Sequence, residues 1–262
     1  MEKNKTELRS LATKAIQAAC LASKQILEVY SSDYTIEYKD DQSPLTTADK
    51  AAHLAIVSIL DATGIPVFSE EGKNIPYTTR SSYDVFWLVD PLDGTKEFIR
   101  RNGEFTVNIA LMEFNKPVIG VIAQPVINKI WCGIPGDGFY SGTMDAPEKI
   151  FDKYAVVERM DPGKTRVLAS RSHRSPETED FIEDLKRNSQ VEVVSAGSAL
   201  KFCLLAEGKA DVYPRFAPTM EWDTAAGHGI LLSVGKNILS YPANETLTYN
   251  KPKPVNDWFI AR

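Results

Sequence analysis

Apolar residues at Leu8, Leu11, Ala15, Ile16, Ala19, Ile26 and Val29 recur at largely helical spacing, which predicts a long amphipathic helix over residues 6–30. Residues 33–44 are polar and turn-rich. A second helix is expected from Thr46 or Thr47, carried by Ala52, Leu54, Ile56, Val57, Ile59 and Leu60 and ended by Gly64. Thr46 and Asp49 have the spacing of a capping box, with Asp in the usual Glu place. Short apolar, β-rich runs follow at 66–69, 83–89, 105–111, 118–123 and 129–132, with a hairpin signal at 136–142. The run at 83–89 is expected to stop abruptly at Asp90. Residues 143–163 are polar and contain Pro147 and Pro162. Beyond them strands (166–169, 191–194, 210–213) alternate with helices (176–187, 198–207, 222–233). Residues 258–260 read as a final strand. This pattern predicts an α+β half over 1–150 and an α/β half over 151–262.

The chain has 262 residues, 43% apolar and 25% charged, ordinary for a globular protein able to bury a full core. Its formal net charge of -5 argues against nucleic-acid polymers and anionic membranes as partners, while leaving a small anionic substrate open. Cys20, Cys132 and Cys203 are far apart and form no CxxC pair, so neither a zinc framework nor a disulfide scaffold is expected. The N-terminal residues carry no apolar signal core, and no 18-residue apolar run occurs. A cytoplasmic protein without a membrane span, monomer or homodimer, is the expectation.

The chemistry concentrates in three acidic spots. In Trp87-Leu88-Val89-Asp90-Pro91-Leu92-Asp93-Gly94-Thr95, an apolar strand runs into two carboxylates three residues apart. Pro91 and Gly94 permit a tight turn in which Asp90, Asp93 and the Leu92 carbonyl face one point. Oxygen ligands in such a turn suit a hard cation such as Mg²⁺, and a surface turn capping the next helix is the alternative. Glu70-Glu71 ends another apolar run. Asp223 opens an Ala/Gly-rich helix, where it could equally be a first-turn acid beside small packing residues. Acids this far apart in sequence are best explained by convergence around bound metal, since clustered carboxylates otherwise repel. No GxSxG elbow, Walker loop or HExxH helix is present.

Taken together, Glu70-Glu71, Asp90-Pro91-Leu92-Asp93-Gly94-Thr95 and Trp222-Asp223-Thr224-Ala225-Ala226-Gly227 resemble, in order, the motifs of the inositol monophosphatase superfamily of Mg²⁺-dependent, lithium-sensitive phosphatases. Residues 43–49, 96–99, 102–110, 170–173, 197–203 and 213–216 resemble the 3′(2′),5′-bisphosphate nucleotidase branch, CysQ type. The resemblance implies a layered αβαβα sugar-phosphatase fold. It implies removal of the 3′-phosphate of adenosine 3′,5′-bisphosphate to give AMP, some members also acting on the sulfated precursor.

The resemblance assigns Glu70, Asp90 and the Leu92 carbonyl to one Mg²⁺, and Asp90, Asp93 and Asp223 to a second. A third, weaker ion would involve Glu70. Thr95 would pair with Asp49 to prepare the attacking water, and the Gly94 and Thr95 amides would take the scissile phosphate. His173 would lie near the base or ribose.

Ser198 and Lys201 are one helical turn apart and can face one ligand, although Ser198 could be an N-cap and Lys201 a solvated charge. Arg215 could be a surface ion-pair residue. Together Lys201 and Arg215 would balance a second phosphate. His53 and His228 read as structural. The alternatives are a sugar or inositol monophosphatase on the same scaffold, or a catalytically silent nucleotide-binding protein.

Overall fold

The computed structural model describes residues 4–32, 36–38, 44–158, 161, 163–169 and 175–262. In chain order the elements are α1 (Lys5–Tyr30), β1 (Ile36–Tyr38), β2 (Pro44–Thr46), α2 (Thr47–Leu60), β3 (Val67–Ser69), α3 (Tyr77–Arg80), β4 (Val85–Asp93), α4 (Thr95–Ile99) and β5 (Thr106–Glu113). They continue with β6 (Lys116–Gln124), β7 (Lys129–Ile134), β8 (Gly138–Thr143), β9 (Lys164–Ala169), α5 (Pro176–Lys186), β10 (Gln190–Ser195) and α6 (Leu200–Ala206). The last are β11 (Tyr213–Arg215), β12 (Thr219–Met220), α7 (Glu221–Leu232), β13 (Ile238–Ser240), β14 (Val255–Asn256) and β15 (Phe259–Ala261).

A six-stranded sheet in the order β3-β4-β5-β6-β7-β8 organises the molecule. β3 is parallel to β4 and the remaining neighbours are antiparallel. Alternation along the strands divides their side chains between two cores. Trp87, Val89, Ile109 and Leu111 face α1 and α2, whose contact surface is built from Ala12, Ala15, Ala19, Ala48 and Ala52. Phe86, Leu88, Ala110 and Met112 face α6 and α7.

Beyond those helices lie the β9-β10 pair and the β11-β15-β13 sheet, bridged by the Leu168 amide donating to the Val212 carbonyl at 2.8 Å. A third apolar cluster of Val167, Ile182 and Val212 joins this layer to α5. The result is an αβαβα stack.

α7 lies unusually close to the central sheet. A Cβ at Gly120 would stand 2.0 Å from the Ala226 carbonyl oxygen, and one at Gly133 2.4 Å from the Ile230 Cα. Close packing is therefore a real function of the small residues in Ala225-Ala226-Gly227; a Cβ at Gly227 would enter the Phe202 ring.

The longer expected elements correspond to these; short elements such as β1, α3, β12, β13 and β14 have no counterpart among the expected ones, and three other differences bear on the site. β4 runs through Asp90 to Asp93. α6 starts at Leu200 and leaves Ser198 outside, because Ser198 holds a left-handed backbone (φ 48°). The strand expected at 210–213 falls at Tyr213–Arg215, since Val212 makes only an isolated bridge to Val167. The three cysteines are buried and free. Among the described residues no helix is long and apolar enough to cross a membrane.

Candidate active site

A β-bulge explains how Asp90 and Asp93 share a side of β4. Asp90 pairs with Asn108 and Asp93 with Thr106, so three steps along β4 oppose two along β5. Residues three apart on a regular strand face opposite ways; one extra residue restores a common face. The ladder resumes after the bulge, which is why the strand does not end at Asp90. Thr106 Oγ1 donates to Asn108 Oδ1 at 2.9 Å, and Asn108 Nδ2 donates to Asp93 Oδ2 at 3.3 Å. Within the turn the Leu92 amide donates to Asp90 Oδ1 at 3.1 Å.

Parallel pairing delivers Glu70 to the same level. Ser69 is in register with Val89, and the Glu70 amide donates to the Val89 carbonyl at 3.1 Å, one residue before Asp90. Asp49 arrives from α2. Its Oδ2 closes the capping box by accepting from the Thr46 amide (2.7 Å) and hydroxyl (2.6 Å). Its Oδ1 accepts from Thr95 Oγ1 at 3.2 Å. Asp223, third residue of α7, accepts from the Met220 amide at 2.8 Å. The first-turn role weighed for it is therefore real, and it coexists with a place in the cleft.

Gly94 separates β4 from α4 with φ 90°, and a Cβ there would come within 2.0 Å of Ser198 Oγ. That hydroxyl lies between the carbonyls of Asp93 (2.9 Å) and Glu104 (2.7 Å), with its one proton able to serve either. Ser198 thus ties the 197–201 segment to the Asp93 turn and does not cap α6.

A cleft of about 820 Å³ brings together Asp93, Ser198, Lys201, Arg215 and Asp223, with Phe216 in its wall. Lys201 Nζ donates to the carbonyls of Ala196 (3.1 Å) and Ser198 (2.8 Å) and lies 5.3 Å from the Tyr213 ring centroid. Arg215 Nε is buried and meets no hydrogen-bond partner among the described residues. Asp49, Glu70, Asp90 and Thr95 do not line the cleft; Glu70 acts on Asp93 and Asp223 through charge. His173 and the Ser170-Arg171-Ser172 segment lie outside the described residues. His53 Nδ1 meets Ser69 Oγ at 3.0 Å, and His228 is buried between Tyr249 and Asn237 (2.9 and 2.8 Å). Burial lowers the His228 pKa to about 4.

Charge is the dominant feature. Burial pushes the Asp90 carboxyl well above the usual range, and the four largest charge effects on it come from Glu70, Asp93, Asp223 and Asp49, all carboxylates. Burial also raises Asp93, with Lys201 and Asn108 opposing. Burial and the Asp93 charge raise Asp223. Lys201 is lowered to about 8 by burial, with Asp93 opposing.

Among the described residues no three His, Cys, Asp or Glu side chains are already closed around one metal-sized point. The donor chemistry nonetheless fits a hard divalent cation: oxygen atoms only, on acids that repel one another.

Sequence reasoning gave no role to Asn108, Thr106, Glu104 or Gly197. The Gly197 amide donates to Glu104 Oε2 at 2.8 Å, a link across 93 residues with no local signal. For Thr106 and Asn108 the signal was present: two polar residues at strand spacing in an otherwise apolar run.

This fold and acidic site belong to a known class. The chain is a member of the inositol monophosphatase family, whose family model matches residues 7–257. It is 42% identical over 237 residues to the 3′(2′),5′-bisphosphate nucleotidase CysQ of Salmonella typhimurium, covering 89% of this chain and 91% of that one. The protein of the same name from Escherichia coli K12 is 41% identical over 85% of this chain and 87% of its own. The crystal structure of CysQ from Bacteroides thetaiotaomicron, a bacterial member of the inositol monophosphatase family, is 47% identical and superposes with a TM-score of 0.86 over 97% of each chain. An inositol monophosphatase from Anabaena sp. PCC 7120 shares the fold at 22% identity (TM-score 0.72, 97% of this chain and 90% of that).

Proposed function

We propose that the protein is a Mg²⁺-dependent phosphatase that hydrolyses the 3′-phosphate of adenosine 3′,5′-bisphosphate to AMP and phosphate. The observation that carries this reading is one cleft holding an acidic pole, Asp93 and Asp223, beside a basic pole, Lys201 and Arg215. The first suits a cation and the phosphate to be cleaved. The second suits a phosphate the cation does not reach. The names of the relatives reported above support the substrate class.

Glu70, Asp90, Asp93, Asp223 and the Leu92 carbonyl are the proposed ligands for two Mg²⁺ ions, with a third, weaker ion near Glu70. Bound there, Mg²⁺ would neutralise charge on the phosphate oxygens and make a nearby water more acidic. Thr95 Oγ1 accepts a proton from that water as it gives its own to Asp49 Oδ1, along the 3.2 Å hydrogen bond already in place. The water oxygen bonds to phosphorus, the bond from phosphorus to the ribose 3′-oxygen breaks, and solvent protonates the departing oxygen.

The amides of Gly94 and Thr95 hold the scissile group. Lys201 and Arg215 hold the 5′-phosphate, where the fork of Arg215 offers its unpartnered Nε. His173 is assigned to the base or ribose. Inhibition by Li⁺ and a division of the chain within 143–163 belong to the same reading. The test is product analysis. Incubation with adenosine 3′,5′-bisphosphate and Mg²⁺ is expected to give 5′-AMP and phosphate; 3′-AMP as the product would overturn the assignment of the two poles.

A further inference from the structure

Arg80 lies outside the acidic motifs, yet it packs on the strand that leads to Glu70 and hydrogen-bonds the 250–252 loop that holds the start of α7. It ends α3 and is buried, with 3% of its surface exposed. Nη1 donates to Asn250 Oδ1 at 2.8 Å, and Nη2 donates to the carbonyls of Lys251 (2.6 Å) and Pro252 (3.0 Å). Asn250 returns a hydrogen bond from Nδ2 to the Arg80 carbonyl at 2.8 Å.

The amides of Asn250 and Lys251 in turn donate to the two carboxylate oxygens of Glu221, at 2.8 and 3.0 Å. Glu221 is fully buried, opens α7 and stands two residues before Asp223. Lys251 Nζ pairs with it at 2.9 Å. On its other side the Arg80 guanidinium lies 5.0 Å from the Phe68 ring centroid. Phe68 is two residues before Glu70 and meets Trp222, the neighbour of Asp223, edge-on at 5.7 Å and 84°.

One buried guanidinium therefore braces the strand leading to Glu70 and the loop that grips the first turn of α7. Burying such a charge is costly, and apolar residues of similar volume often serve stability as well or better. Its fixed fork does what an apolar residue cannot: it binds one side-chain and two backbone acceptors in a single geometry. We propose that Arg80, acting through Asn250 and Glu221, is a positioning residue that sets the placement of Asp223 relative to Glu70 and thereby the affinity of the site for a divalent cation. This rests on the metal reading given above.

Arg80→Lys keeps the charge and loses the fork. Asn250→Ala leaves the guanidinium its two carbonyl acceptors and serves where Arg80→Lys does not fold. Calorimetric titration of the full-length chain with Mg²⁺, well below the melting temperature, is the readout, with Asp93→Asn measured alongside. The expected result is Mg²⁺ affinity about tenfold weaker or worse in either variant, as removal of a ligand's supporting partner typically gives. In assays, kcat at saturating Mg²⁺ should recover to within about twofold of the parent while the Mg²⁺ concentration needed rises, because the lost interaction acts on binding. An unchanged Mg²⁺ affinity accompanied by a lower melting temperature would make Arg80 structural only and overturn the proposal. If the parent takes up no Mg²⁺, or Asp93→Asn binds it equally well, the metal reading itself fails and the proposal falls with it.

Discussion

Thr95 Oγ1 donates to Asp49 Oδ1 at 3.2 Å, joining the first turn of α4 to the first turn of α2 across 46 residues. Asp49 uses its other oxygen to cap α2, so its orientation is fixed before any substrate arrives. A proton acceptor held this way suits water activation. Thr95→Ala should lower kcat by about 10²- to 10⁴-fold with little change in KM, and Thr95→Ser should recover most of it. The double variant Asp49→Ala/Thr95→Ala should be little worse than the poorer single, because the two act as a unit. Steady-state kinetics on the parent, Thr95→Ala, Thr95→Ser, Asp49→Ala and the double variant check this; fully additive losses would argue against a relay.

Asp90 is almost wholly buried among other carboxylates, an arrangement that costs stability unless a cation compensates. Asp90→Asn keeps an oxygen for the Leu92 amide while removing the charge. In chelator it should melt ~2–4 °C higher than the parent, equivalent to about 1 kcal/mol. It should also lose activity and the stabilisation that Mg²⁺ gives the parent. Scanning calorimetry with and without Mg²⁺ decides the matter, a lower melting temperature in chelator being the contrary result.

Lys201 and Arg215 are basic groups lining the same cleft as Asp93 and Asp223, with Lys201 drawn toward neutrality by burial. Lys201→Gln and Arg215→Gln should each reduce kcat/KM for adenosine 3′,5′-bisphosphate by about 10- to 100-fold, the worth of a charged hydrogen bond. Adenosine 3′-monophosphate, which lacks the 5′-phosphate, should suffer much less. Equal losses on both substrates would move these residues to the cleavage end.

Away from the site, Arg9 Nε donates to Asp137 Oδ2 at 2.7 Å and Nη2 to Oδ1 at 3.1 Å, while Tyr140 OH also donates to Oδ2. These bonds, the Arg9 pair first, hold the Asp137 carboxyl below its ordinary value of 3.8. A carboxyl depressed by folding stabilises the protein above its unfolded-state pKa, and the contribution is lost as pH falls through the lower folded value. Asp137→Asn should cost about 1 kcal/mol at pH 7, discounted because Arg9 is partly exposed, and the difference should shrink as pH falls below 3.8 toward the lower folded value. Denaturant melts at pH 7, 4 and 3 test the sign; a gap that widens on acidification contradicts it.

Local signals were legible in the sequence and long-range register was not. The Thr46–Asp49 box and the α1 and α2 stripes depend on residues three or four apart, and they form as the spacing predicts. The bulge that aligns Asp90 with Asp93 depends on where β5 pairs, which no feature of residues 87–95 reveals. Ser198 reads locally as a helix start. It is held left-handed because its hydroxyl reaches the carbonyls of Asp93 and Glu104, roughly a hundred positions earlier in the chain. Arg80 gives no local sign of its partner Asn250, 170 residues away.

The central claim is that this acidic and basic cleft selects a nucleotide carrying two phosphates. The most direct measurement is the ratio of kcat/KM for adenosine 3′,5′-bisphosphate to that for inositol 1-phosphate, in the same buffer at saturating Mg²⁺. The account predicts a ratio of at least about 10², since a second phosphate met by Lys201 and Arg215 adds roughly two charged hydrogen bonds. A ratio near one, or a preference for the inositol ester, would contradict it.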